Sequence, residues 1–82
     1  MAVYDPLRKW LTQQPKTVTV TFSELEKILG RPLPYSASHY STWWDNEDFS
    51  DEKHVQAKAW LAAGYRVQEV KMIEKVVTFR KQ

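Results

Sequence analysis

Residues 17–30 read Thr17-Val18-Thr19-Val20-Thr21-Phe22-Ser23-Glu24-Leu25-Glu26-Lys27-Ile28-Leu29-Gly30, and within them one period gives way to another. Thr17 to Phe22 alternates strictly and is β-branched, which is the pattern of a half-buried strand. From Ser23 onward the apolar residues fall at Leu25, Ile28 and Leu29, one face of a helix. Ser23 and Glu26 have the spacing of a capping box, and Gly30 supplies a left-handed C-terminal cap. A strand running straight into a helix is the frame for the rest.

Upstream, Asp5 reads as an N-cap with Pro6 at the first helical position. Leu7, Trp10 and Leu11 give a short stripe that ends at Gln13-Gln14-Pro15. Downstream, Arg31-Pro32-Leu33-Pro34 is extended, because each proline disfavours helix before it. Ser36 is placed to cap a short third helix through Tyr40. Trp43-Trp44 follows, and then an acidic loop at 45–52. Ser50 or Asp51 caps another helix, which runs through Val55, Ala59, Trp60 and Ala62 and stops at Gly64. Tyr65–Val70 and Val76–Arg80 read as strands joined by Lys71-Met72-Ile73-Glu74-Lys75. The pattern predicts one α+β domain over residues 1–82, winged-helix-like, with a three-helix core, a short N-terminal strand and a C-terminal β-hairpin. Leu7, Leu11, Val20, Phe22, Leu25, Ile28, Leu29, Val55, Ala59, Leu61, Val67, Val77 and Phe79 are the expected core.

A chain of 82 residues is the size of a single small domain. It has no cysteine, which excludes disulfides, thiolate metal sites and cysteine nucleophiles. No apolar run approaches the roughly 18 residues of a membrane span. The start of the chain lacks the basic and apolar regions of a signal peptide. No membrane association and a cytoplasmic location are therefore expected. The net charge of +2 is unevenly spread. Residues 45–52 hold five acids and no lysine or arginine, whereas residues 53–82 hold seven lysines and arginines against two acids. The basic C-terminal third suits an anionic partner.

One set of motifs has its own signature: Leu33-Pro34-x-Ser36-Ala37, Trp43-Trp44-x-Asn46, and Ala59-Trp60-Leu61-x-Ala63-Gly64-Tyr65. With Thr21-Phe22-x-Glu24-Leu25-Glu26-x-Ile28-Leu29-Gly30 before them, they span nearly the whole chain. In these motifs the chain resembles an uncharacterised small bacterial domain family, whose members stand alone or accompany nuclease and restriction-type proteins. The resemblance implies a DNA-related or defence-related setting, by association. Relatives place arginines after Ser-Ala; here those positions are Ser38, His39 and Tyr40, so any phosphate contact made there in relatives is altered.

The residues support no catalytic reading. There is no phosphate-cradling glycine loop, zinc-protease motif or nucleophile elbow. His39 and His54 have no metal-motif spacing with Asp45, Glu47 or Asp48, so neither a metal nor a cofactor is expected. The leading function is a small non-catalytic nucleic-acid-binding domain. Ser36, Ser38, His39, Tyr40, Trp43 and Trp44 would supply polar and stacking contacts, and Arg66, Lys71 and Lys75 phosphate contacts from the wing. Gln56 could read a base edge, but a core helix whose Trp60 covers the hairpin is the preferred reading of this segment. The alternative is a protein-binding module: a phage-encoded or defence-related inhibitor or adaptor acting on a nucleic-acid enzyme. Trp43 or Trp44 would then be the anchor, and Asp45, Glu47 and Asp48 would dock on a basic surface.

Overall fold

The fold comes from a computed structural model that describes residues 4–46 and 55–82. The elements are α1 (Asp5–Leu11), β1 (Thr17–Thr21), α2 (Phe22–Leu29), α3 (Tyr35–His39), a 3-10 turn at Ser41–Trp44, α4 (Val55–Ala62), β2 (Tyr65–Lys71) and β3 (Val76–Lys81). The protein is thus α+β, with a three-stranded antiparallel sheet in the order β1-β3-β2. No helix among the described residues is long and apolar enough to cross a membrane.

β3 is central, so it carries the most completely buried strand residues. Val77 pairs with Val20 and Phe79 with Val18, and both β3 side chains are closed off from solvent. The threonines of β1 take the opposite face, as a two-residue period requires. There the Thr19 and Thr78 hydroxyls meet across the strands at 2.9 Å. β2 carries a bulge: Val67 pairs with Phe79 and Glu69 with Thr78, leaving Gln68 without a cross-strand partner.

The helices close the other face of the sheet. α4 is apolar nearly all round, and Gln56, Ala57, Ala59 and Trp60 are buried. Trp44 stacks between Phe22, at 5.0 Å between ring centroids, and Trp60, at 6.1 Å. Trp60 leans in turn on Phe79 at 5.6 Å. The expected core largely holds: Leu7, Leu11, Val20, Phe22, Leu25, Ala59, Val67, Val77 and Phe79 are buried. Ile28, Leu29 and Leu61 are only partly buried and pack on its rim. The Val55 side chain lies outside the described residues. Ala37, Trp44, Ala57, Trp60 and Tyr65, which stand outside the expected core set, are buried as well.

Three caps differ from expectation. Asp5 lies inside α1, with Tyr4 at the N-cap and Pro6 still in the first turn. Ser36 lies inside α3, whose N-cap is Pro34. The capping box of α2 is Thr21–Glu24, two residues ahead of Ser23–Glu26. The Glu24 amide donates to the Thr21 hydroxyl at 3.0 Å, and the Thr21 amide donates to Glu24 Oε1 at 3.1 Å. Glu26 is used elsewhere: its Oε2 accepts the Leu33 amide at 2.8 Å and pins the turn after α2. The expected cap of α4, Ser50 or Asp51, lies outside the described residues.

Bonds from the Thr21 amide and hydroxyl hold the Glu24 carboxyl below the ordinary carboxylate range. A depressed carboxylate stabilises the fold above its unfolded pKa, and that contribution fades as pH falls through the folded value. Thr21→Ala is expected to cost about 1 kcal/mol near neutral pH. Ser23→Ala should cost less than about 0.5 kcal/mol. Urea melts check both, and the gap between Thr21→Ala and the parent should narrow in acid.

Candidate functional site

α3 carries an exposed aromatic group. The Tyr35 and His39 rings lie parallel, 3.6 Å between centroids, and Tyr40 meets Tyr35 edge-on at 6.5 Å. The spacing i, i+4 places Tyr35 over His39 on one helical face. Tyr35 is 69% exposed and Tyr40 58%. His39 Nδ1 lies 2.9 Å from the Tyr35 carbonyl oxygen, which can only accept. Nδ1 therefore bears the proton, which leaves Nε2 as the acceptor of the neutral ring. The Ser38 hydroxyl, 3.0 Å from Nδ1, also donates to the Tyr35 carbonyl at 3.2 Å. Tyr35 belongs to this group although the sequence reading passed it over; its four-residue offset from His39 was the available signal.

The hairpin reaches the same region. The Lys75 carbonyl accepts the Phe22 amide at 2.9 Å, which ties the hairpin loop to the start of α2. A cavity of about 170 Å³ opens beside this contact, lined by Ser23 and Glu26 of α2, Ser38 of α3, and Lys75. Lys75 has φ +58°, the only non-glycine residue with positive φ among those described. Glycine adopts that conformation without a steric penalty, whereas a lysine is strained there. Ile73, at the turn of the hairpin, is 94% exposed. Lys71 is also exposed, at the end of β2.

The expected site residues therefore divide. Ser38 and Lys75 line one cavity, with Lys71 nearby on the hairpin, whereas His39 and Tyr40 gather around Tyr35 on α3, in which Ser36 is half-buried. Arg66 does not join them: it lies five residues along β2 from Lys71, about 17 Å at the rise of a strand. Asp45 is exposed. Glu47, Asp48 and His54 lie outside the described residues.

Trp43, Trp44 and Gln56 serve the core. Trp44 is 2% exposed and its Nε1 donates to the Ala37 carbonyl at 2.8 Å, so it has no surface for a base or a partner. Trp43 is half-buried, edge-on to Trp44 and Tyr4. Burial raises the Tyr4 hydroxyl above its ordinary pKa, against the opposing pull of the Arg31 charge. Gln56 is 3% exposed and donates to the Trp43 carbonyl at 3.1 Å, which removes it from any base edge.

Asn46 completes this framework. Its Oδ1 accepts from Trp60 Nε1 at 3.0 Å and from the Val67 amide at 2.7 Å. Its Nδ2 donates to the Val67 carbonyl at 2.8 Å. The side-chain amide thus pairs with Val67 as a strand neighbour would.

The chain belongs to a family described as a domain of unknown function (DUF7662), whose model matches residues 4–82. No curated protein and no solved structure matches it.

Asn46→Ala leaves the Trp60 indole and the Val67 amide without partners. Unsatisfied buried donors cost about 1–3 kcal/mol each, so a loss of roughly 3 kcal/mol is expected in urea denaturation. Asn46→Asp keeps the accepting oxygen but sets a second acceptor against the Val67 carbonyl in place of the Nδ2 donor, so it should also destabilise.

Proposed function

We propose that the chain is a small non-catalytic nucleic-acid-binding domain of winged-helix type. The element order supports this reading, with α1 and β1 followed by helices and then a hairpin whose second strand pairs with β1; three helices, α2, α3 and α4, stand before the hairpin, one more than a winged helix has. In it, Lys71-to-Lys75 is the wing, and Lys71 and Lys75 neutralise phosphates. The Tyr35–His39 stack offers an aromatic face to an unstacked base, with His39 Nε2 as acceptor. The DNA-transaction or defence setting implied by the motif resemblance agrees with it by association.

The observation that carries the reading is the cavity lined by both Ser38 of α3 and Lys75 of the hairpin. Lys75 adds to it. Glycine would be the favoured residue at φ +58°, yet a cation stands there.

Binding to duplex and single-stranded DNA, measured across salt concentrations, tests the proposal. The parent should weaken steeply as salt rises, because each phosphate contact releases counterions. Lys71→Ala with Lys75→Ala should weaken binding alike at all sequences and flatten the salt slope by up to about two units.

Lys75→Gly separates function from stability. Relief of the positive φ should raise stability by about 1 kcal/mol while DNA binding still weakens. A parent with no salt-dependent DNA binding would overturn the proposal in favour of a protein partner. Neutralising Asp45, Glu47 and Asp48 would then abolish association, whereas the same change slightly strengthens a DNA binder.

A further inference from the structure

The sheet's outward face holds an arrangement that folding does not explain. The register sets Arg66 of β2 directly opposite Arg80 of β3, and Thr17 of β1 opposite Arg80 on its other side. Directly opposed residues have Cβ atoms about 4.5–5.5 Å apart, where like charges destabilise a sheet. Among the described residues the one ion pair is Arg8–Asp5, so no described carboxylate lies within 4 Å of either guanidinium. A groove of about 510 Å³ opens here, lined by both arginines, Gln68 and Lys81. The β2 bulge lies at Gln68, and bulges commonly re-aim a side chain towards a site.

We propose that Arg66 and Arg80 form a two-guanidinium clamp for a phosphate-class oxyanion, with Gln68 as a neutral donor. One guanidinium fork satisfies a carboxylate; two forks converging on one point suit the tetrahedral, doubly charged phosphate. The anion removes the repulsion between the arginines, so the site is more stable filled than empty. The clamp lies at the opposite end of the hairpin from Lys71 and Lys75 and does not rest on the nucleic-acid reading.

The test exchanges sodium phosphate for sodium chloride at constant ionic strength and follows the Tm and the arginine Nε–Hε resonances. Phosphate should raise the Tm of the parent saturably and shift the Arg66 and Arg80 signals. R66Q and R80Q should each weaken phosphate binding about tenfold or more. In chloride each variant should melt at the parent temperature or above it, because one of two opposed like charges is gone. A merely structural arginine would lower the melting temperature. A short oligonucleotide with and without a 5′-phosphate separates the sources. Preference for the phosphorylated strand marks a terminal or free phosphate, and equal binding marks backbone phosphodiesters. Lys71→Ala with Lys75→Ala should keep the phosphate response, so this test and the DNA test fail independently. A parent that responds to phosphate no more than to chloride, or a response retained in both R66Q and R80Q, overturns the clamp.

Discussion

One side-chain amide joins the parts of this domain that the backbone leaves separate. Asn46 follows the 3-10 turn and has no place in the sheet, yet its amide pairs with Val67 through both of its polar ends. The same oxygen receives the Trp60 indole, so the segment after Trp44, the helix α4 and the edge strand β2 are fixed through one residue. Each of these groups is at least partly withdrawn from water, where an unmade hydrogen bond is expensive. That requirement fixes where Trp60 sits, and Trp60 with Phe22 holds Trp44 between them. The aromatic core is therefore positioned by polar bonds at its margin as well as by contact at its centre.

The same bond manages an exposed strand. β2 is an edge of the sheet, and an open edge invites pairing with another chain. Asn46 occupies the amide and carbonyl of Val67, the bulge at Gln68 breaks the regular ladder, and Arg66 and Lys71 place charge at either end. The exposed side chains of β2, Arg66, Gln68, Glu69 and Lys71, are all charged or polar, which further disfavours pairing of this edge with another chain.

Much of the fold was legible because periods were strong. Thr17–Thr21 alternates without exception and is β1; the apolar stripe of Leu25, Ile28 and Leu29 is α2. The cap was not legible, because Thr21-x-x-Glu24 and Ser23-x-x-Glu26 satisfy the same local rule. Tertiary structure chose between them. Phe22 at the first helical position bonds its amide to Lys75, and Glu26 is held by the turn at Leu33. Trp43 and Trp44 were ambiguous for a similar reason: in a 3-10 turn neither the strand nor the α-helix period says which ring enters the core. The exposed group on α3 was half legible, since Tyr35–His39 follows the i, i+4 rule. The Arg66–Arg80 pairing was not, because only the strand register reveals it.

Local rules are broken at both ends of the hairpin. At one end a lysine holds a backbone conformation that glycine takes more readily. At the other, two arginines face each other across adjacent strands. Neither feature helps a domain of this size to fold: with 82 residues the stability margin is small, and each feature subtracts from it. Sequences that agree with their fold at every other level tend to depart from it where a ligand must be met. Both departures place positive charge on exposed surface, and neither lies on the aromatic core that the rest of the chain builds. The core and the Asn46 bonds specify the shape, and the hairpin carries the charge at the expense of local stability. The two costs differ in kind: a bound anion would offset the repulsion between Arg66 and Arg80, whereas the strain at Lys75 is steric and only a change of residue or of backbone relieves it.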